Sequence, residues 1–460
     1  MKEKRSLGDL LYFAALVIVF VLIIFGAGLY SASKKNAAYR VVKGVQDTFE
    51  RFFSEYDALS IVADRPSESL QDARNDVAGV VTNTAQDDNL IFMSGFFDNE
   101  NELRLIERDG TIVRRWPVPF YDYISDVSYL RIAPTTNRYV DMHGALIEPD
   151  GSIVFNYEYN AGAKIDRCGD LVWDIKHRVH HSIEHSESGG YWIPGRNTIT
   201  DKTDNRFAPF AIEGNVSGVN EDLILKVSDD GEIILSKSVP ELLFDNGFET
   251  KLTATGDHFR RPGSAGGDSE IVHLNKIAEL PSSLANAFPM FEAGDLALSM
   301  PTYNLIVVVD PDDWIVKWSS FGPWRRQHDP EFGTDGRIYI FNNNVYFGGD
   351  NIGEPNQLDG KSLTNIIAVD PVTNETQIIY GDNPGESFLS VIRGKVELLA
   401  NGNMLVTEFA AGRVFEVNAQ RERVWDYVNR YDEKSVAEIT EARVYPRSYF
   451  TVDDWSCESD

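Results

Sequence analysis

From residue 77 onward, short apolar runs alternate with polar turns at a spacing too tight for helices. The segments IERDGTIVRRW (106–116), IEPDGSIVFNY (147–157), IDRCGDLVWDI (165–175), VSDDGEIILSK (227–237), VDPDDWIVKWS (309–319), VDPVTNETQII (369–379) and VNAQRERVWDY (417–427) share one plan. Each has an apolar position, a tight turn, then an apolar strand that often carries Trp. Asp-Gly suits a type I′ hairpin turn, in which both central residues need positive φ and the twist matches the flanking strands. A second strand type, in GGYWIPG, AGDLALSM, DGRIYIFNN and NGNMLVTE, stands between these hairpins. Pairs of hairpins recurring over about 350 residues, with no helical period between them, predict four-stranded blades and an all-β, six-bladed β-propeller. A β-sandwich with long loops is the alternative, and a repeat of this extent outgrows it.

The N-terminal pattern differs. Residues 10–30, LLYFAALVIVFVLIIFGAGLY, hold no charge and at helical rise match a hydrocarbon core of roughly 30 Å. They predict a transmembrane helix, favoured over a cleavable signal peptide, whose apolar region is shorter. Basic residues stand on both sides of the span, so charge alone does not orient it. Val42, Val45, Phe49, Phe52, Tyr56 and Leu59 then form a stripe on one helical face, which reads as a short stalk. The expected organisation is a basic tail (1–9), a single-pass anchor (10–30), a helical stalk (31–76), a propeller (77–450) and an acidic C-terminal tail (451–460).

Composition narrows the partners. The 460 residues carry 43 Lys plus Arg against 71 Asp plus Glu, a net charge of −28, which repels polyanions and argues against nucleic acid. An anionic small substrate needs a local positive pocket. Cys168 and Cys457 lie far apart and outside metal-type spacing, so they suggest neither a disulfide framework nor a zinc site. No G-x-S-x-G or phosphate-binding loop is present.

The candidate chemistry is histidine. HHSIEHSESGGYWIPG (180–195) concentrates three imidazoles, and His181, His273 and His328 each stand beside a strand of a different expected blade. Blades converge on a central channel, so these three can meet. A metal site among His177, His180, His181 and His185 is disfavoured, because strand follows and no carboxylate-rich partner spacing accompanies them.

At these residues the sequence resembles the arylsulfotransferase family of bacterial six-bladed propellers. The resemblance lies in HH before a Gly-containing strand, HLN at 273–275, QHD at 327–329 followed by DGRIYIFNN, LLANGNMLVTE with GRVFEV and VWDY, and the closing EARVYPRSYF. It implies sulfuryl transfer from an aryl sulfate donor to a phenolic acceptor, with no metal or organic cofactor. His328 would be the nucleophile, while His181 and His273 would stabilise charge and move the phenol proton. His180 and Asn275 are further substrate-binding candidates. Family habit implies a periplasmic propeller outside the membrane anchor.

Two positions depart from the family. Its Ser-x-Arg arginine, which grips the sulfuryl oxygens, falls at Pro301 in LALSMPTYNLIVVVD, and the aspartate of HHD falls at Ser182. Losing such a donor costs about 2.7–4 kcal/mol in the transition state. Arg325, Arg326 or Lys276 could supply the charge instead. The competing reading is a catalytically silent propeller that binds a ligand or protein at the membrane. A cationic side chain at the shared histidine mouth would discriminate the two.

Overall fold

The computed structural model describes residues 69–137, 140–199, 219–254, 269–345 and 363–457, with Val19 and Arg206 as single positions. The chain divides into two compact units, Met1–Pro66 and Ser67–Asp460. Val19 excepted, the expected span at 10–30 and the stripe at 42–59 lie outside the described residues. Among the described residues no helix is long and apolar enough to cross a membrane. The expected stalk does not remain helical to residue 76: Leu70–Asp72 is a strand paired with Ser435–Ala437, and Leu70 packs with Phe96 and Ala437.

Among the described residues, six sheets of four or more strands fill the second unit, antiparallel except where Ser269–Glu270 pairs parallel to Val219–Val227, as the hairpin pattern predicts. Blade I is Ile439–Tyr445, Leu90–Phe97, Glu100–Ile106 and Ile112–Pro117. Blade II is Met142–Ile147, Ile153–Tyr157, Ala161–Ile165 and Leu171–Ile175. In blade III, Arg178–Val179 and Glu184–His185 both pair with Tyr191–Ile199, followed by Val219–Val227 and Ile233–Ser238. Blade IV is Lys276–Glu279, Leu296–Met300, Leu305–Val309 and Val316–Phe321. Blade V is His328–Phe332, Ile338–Asn342, Asn365–Val369 and Thr376–Tyr380. Blade VI is Lys395–Leu398, Met404–Glu408, Arg413–Val417 and Arg423–Val428, with Gly79–Asn83 added outside. Ile439–Tyr445 comes last in the chain yet pairs with Leu90–Phe97, closing the ring by joining both ends of the propeller sequence in one blade. From blade III round to blade II the first strands of successive blades touch one another, and at the remaining junction Gly144 of blade II lies against the His181 carbonyl, so these strands surround a common channel.

The Asp-Gly turns depart from expectation. Gly110, Gly151, Gly169 and Gly231 have positive φ, but the preceding Asp109, Asp150 and Asp230 do not. Glu107 N donates to Thr111 O while Gly110 N donates to Glu107 O, which is the three-residue connection with a bulged glycine rather than type I′. The two-positive-φ turn occurs at Asp98 and Asn99 (φ 46° and 75°) between Phe97 and Glu100.

These turns also join the blades. Trp116 Nε1 donates to Arg167 O (2.8 Å), Trp173 to Asp229 O (2.9 Å), Trp318 to Asn374 Oδ1 (2.9 Å) and Trp425 to Arg108 O (2.7 Å). In each case the indole of an outer strand reaches the hairpin turn of the next blade. Three of the four rings are buried, so the repeated Trp packs the blade junction while its one donor is satisfied.

Cys168 and Cys457 form a disulfide across a sequence separation of 289, correcting the expectation that their spacing supports no disulfide framework. The cause is the closing strand. After Tyr445 the chain runs beside blade II, where Thr451 N donates to Pro149 O and Arg167 Nη1 donates to Asp454 O and Ser456 O. Trp455 meets Trp116 edge-on, with ring centroids 6.0 Å apart. Residues 451–457 are therefore stitched to the propeller.

Candidate active site: an imidazole mouth

The start of each first strand carries its polar cargo into the channel. Blade III brings His180 and His181 between its two short edge segments, blade IV brings His273 just before Lys276–Glu279, and blade V opens with His328. The three expected imidazoles meet. His181 Nε2 is 3.3 Å from His273 Nε2, and the His181 and His328 ring centroids are 6.1 Å apart. His180 joins them, its Nδ1 2.7 Å from His181 Nδ1.

A fifth imidazole, His143 on blade II, has its centroid 4.1 Å from that of His181, and the sequence reading missed it. A signal was there: His143, His181 and His328 each stand eight residues before a positive-φ turn glycine, Gly151, Gly189 and Gly336. His177 and His185 do not belong to the mouth. His177 lies against Gly195, and His185 is exposed, 3.6 Å from Glu148 Oε2.

The backbone holds His181 under constraint. Its φ is 55°, in the left-handed region that costs a non-glycine residue of order 1–3 kcal/mol. Asn156 Nδ2 donates to His181 O at 2.9 Å. Gly144 lies so close that a Cβ there would stand 2.2 Å from the same oxygen. Arg326, Asp329 and Arg393 at this mouth also have positive φ, which concentrates strain where the side chains converge.

Burial keeps His143, His180, His181 and His328 uncharged. It pushes His180 and His328 down to about 4 and His143 to about 3. His181 is held well below its usual range by burial first, then by the surrounding rings. A neutral imidazole carries one proton, so its partners fix the tautomer. His328 Nδ1 faces two acceptors, Asn343 Oδ1 at 2.8 Å and Arg326 O at 3.1 Å. Asn343 cannot turn its amide around, because its Nδ2 donates to Ser390 O and Arg393 O. His328 therefore donates from Nδ1, and its Nε2 keeps an unshared pair.

The same logic runs along a chain from blade III. His180 Nε2 faces Asp222 Oδ1 at 3.4 Å and Gly195 O at 3.4 Å, both acceptors. It donates there, so its Nδ1 accepts from His181 Nδ1–H, and His181 Nε2 keeps its unshared pair facing His273 Nε2–H. Asp222 and Asn343 are thus the residues that set the tautomers. Asp222 lies in none of the segments quoted for the resemblance, whereas Asn343 ends the quoted DGRIYIFNN.

The other expected site residues have other employment. Asn275 is buried and donates to Gln327 O at 2.9 Å, fixing the backbone ahead of His328. Lys276 is buried, with Nζ 2.6 Å from Glu184, 2.9 Å from Asp329 and 2.5 Å from Glu331. Burial alone would discharge this ammonium; the three carboxylates outweigh it and keep the pKa raised. Arg325 N donates to Asn342 Oδ1 and its Nη2 to Asn344 Oδ1, while Arg326 N donates to Asn304 Oδ1. Pro301 opens a buried 3-10 turn, Pro301–Tyr303. The cations whose fields reach the imidazoles are themselves paired. Arg393 holds Asp141 (2.8 Å) and Glu158, Arg196 holds Asp222 (2.9 Å) and Lys395 holds Glu441.

Further along the same first strands lies a cavity of about 290 Å³, lined by Glu184, Lys276, Glu331, Lys395, Glu397 and Arg443 among others. Burial raises Glu331 to about 7 and Glu397 to about 8. The channel thus passes from neutral imidazoles to a charged lining.

No curated protein sequence matches. Among solved structures, a Bacteroides caccae protein of unknown function is 12% identical with a TM-score of 0.44, covering 74% of this chain and 93% of its own. A streptogramin B lyase is 10% identical with a TM-score of 0.40, covering 82% and 97%. The Myceliophteria thermophila Cps50 (Swd1) β-propeller domain is 7% identical with a TM-score of 0.39, covering 78% and 88%. The arylsulfotransferase (ASST) family model matches residues 146–430, a stretch that starts on blade II and holds His181, His273 and His328. That match spans more than half of the sequence, and the chain belongs to the arylsulfotransferase family.

Proposed function

We propose that the protein transfers a sulfuryl group from an aryl sulfate to a phenolic acceptor through a sulfo-histidine at His328. The observation that carries this reading is the His328 tautomer. With Nδ1–H engaged by Asn343 and Arg326, the unshared pair sits on Nε2 of an imidazole that burial keeps neutral. In the first half-reaction Nε2 attacks sulfur, the sulfur–aryl oxygen bond breaks, and the phenolate leaves with its developing charge held by a hydrogen bond from the His181–His273 pair and takes its proton from solvent. In the second, that pair takes the proton of the acceptor phenol, whose oxygen attacks sulfur and releases His328. Splitting the transfer in this way replaces one difficult displacement by two easier ones.

In this reading the propeller stands outside the cytoplasm on a single-pass anchor at residues 10–30. The Cys168–Cys457 disulfide supports that side of the membrane, since such bonds persist in oxidising compartments. The alternative, a catalytically silent binding propeller, draws on Pro301 and on the paired state of Arg393, Arg196 and Lys276.

Intact-mass measurement after mixing with a chromogenic aryl sulfate separates them. Transfer predicts a sulfo adduct that maps to His328 and is discharged by added phenol. An unmodified protein with unconsumed donor leaves the binding reading.

A further inference from the structure

The mouth holds a second arrangement that sulfuryl transfer does not require. His143, Glu158 and His181 each offer a ligand atom, and these atoms all lie within 4.8 Å of one another. His143 Nδ1 is buried and makes no hydrogen bond; Glu158 Oε1 stands 3.5 Å away, too far for a good one. Two atoms bound to one tetrahedral zinc at 2.0–2.1 Å are themselves about 3.3–3.4 Å apart. The His143–Glu158 separation already matches that edge, and shifts of about an ångström bring in His181.

The outer ends of the ligands are held. Glu158 Oε2 accepts from Arg393 Nη2, leaving Oε1 turned to His143. His181 gives its Nδ1–H to His180, which is anchored on Asp222, leaving Nε2 as a lone pair. Metal-binding histidines and carboxylates are characteristically oriented by such outer hydrogen bonds.

We propose that His143, Glu158 and His181 form a binding site for one divalent transition-metal ion of the zinc type. Two imidazoles and one carboxylate are a ligand set that leaves a coordination position open, here toward a mouth that also holds His273 and His328. The site shares His181 with the proposed transfer: while an ion holds His181 Nε2, proton movement at the mouth falls to His273. Should both hold, the ion supplies at the mouth the positive charge that Pro301 removes and that the paired arginines do not offer.

The test uses the full-length chain, stripped with chelator and then titrated with zinc or cobalt(II) in the absence of aryl sulfate. The expected result is one ion per chain at micromolar affinity or tighter, with a tetrahedral cobalt spectrum. Glu158→Gln and His143→Ala each weaken binding by more than the roughly 10–100-fold that loss of an outer-shell partner costs. The exposed His185→Ala leaves it unchanged. Wild-type protein that takes up no stoichiometric ion, full binding by Glu158→Gln, or loss of binding in His185→Ala overturns the proposal. Circular dichroism checks each variant's fold, and wild-type stoichiometry decides should His143→Ala misfold. A stoichiometric ion without any sulfo adduct removes the transfer reading alone; the reverse removes the metal site alone.

Discussion

The two ends of the channel share the first strands of blades III, IV and V and hold different titratable groups. At the strand starts, burial strips imidazoles of their charge, and His180 and His328 fall to about 4. Three residues on from His181, His273 and His328 stand Glu184, Lys276 and Glu331, where one buried ammonium is surrounded by carboxylates. There burial raises Glu331 to about 7 and Glu397 to about 8. Desolvation disfavours the charged form in both places. It leaves nucleophilic lone pairs where the groups are bases and bound protons where they are acids. One end is therefore suited to attack on an electrophile, and the other to holding the inner strands in register.

The sharpest way to break this comparison is at its reactive end. His328→Gln removes the proposed nucleophile but sits outside the charged cavity, so we expect transfer to fall at least about a thousandfold with the melting temperature almost unchanged. Equal loss of stability and activity would show His328 to be structural.

Gly144→Ala is expected to come next. Its new Cβ meets the His181 carbonyl at 2.2 Å, a backbone atom with no easy retreat. A displacement of about 1 Å at a reacting group can cost a hundredfold in rate, and the clash should lower stability by about 1–3 kcal/mol. Assay and thermal melting of the variant measure both. Full activity would mean that His181 need not be held where it is.

The ends also predict opposite pH dependences. For His180 and His328 in metal-free protein, folded and unfolded chains are both neutral above the ordinary value of 6.5. As pH falls from 6.5 to about 4 the unfolded chain gains protons that the folded one refuses. Stability therefore falls across that window, by up to about 1.4 kcal/mol per pH unit for each buried ring. Glu331 and Glu397 have the other sign: their folded values lie above the ordinary 4.5, so stability is lost as pH rises from 4.5 through 7–8. Glu397→Gln should accordingly raise the melting temperature at pH 9 and leave it unaltered at pH 5. A shift of the same size at both pH values would contradict the electrostatic origin.

Much of this was legible in the sequence, for reasons that particular residues show. Apolar alternation and turn glycines such as Gly110 and Gly151 are local signals, and they predict the blades. His181, His273 and His328 stand beside strands of different hairpins, so a propeller is enough to bring them together. The turn type was misread at Asp109 because a dipeptide does not distinguish a type I′ turn from a bulged glycine. The partners of the reactive groups were not legible. Asp222, Arg393 and Glu158 reach the histidines from other blades or other strands, and nothing local marks them, while Asn343 ends a quoted segment that does not tell its role. The Cys168–Cys457 bond depends on where the closing strand exits, a property of the completed ring. The resemblance places Pro301 where the family has its arginine; the sequence could not show that Lys276 is consumed by three carboxylates.

The central claim is that His328 is a neutral imidazole protonated on Nδ1. Two-bond proton–nitrogen correlation spectra of protein labelled with ¹⁵N-histidine test it most directly. The account predicts that the His328 resonances, assigned with His328→Gln, show the Nδ1–H tautomer at pH 7 and persist unprotonated down to pH 5. A protonated ring near pH 6.5, or a proton residing on Nε2, would contradict it.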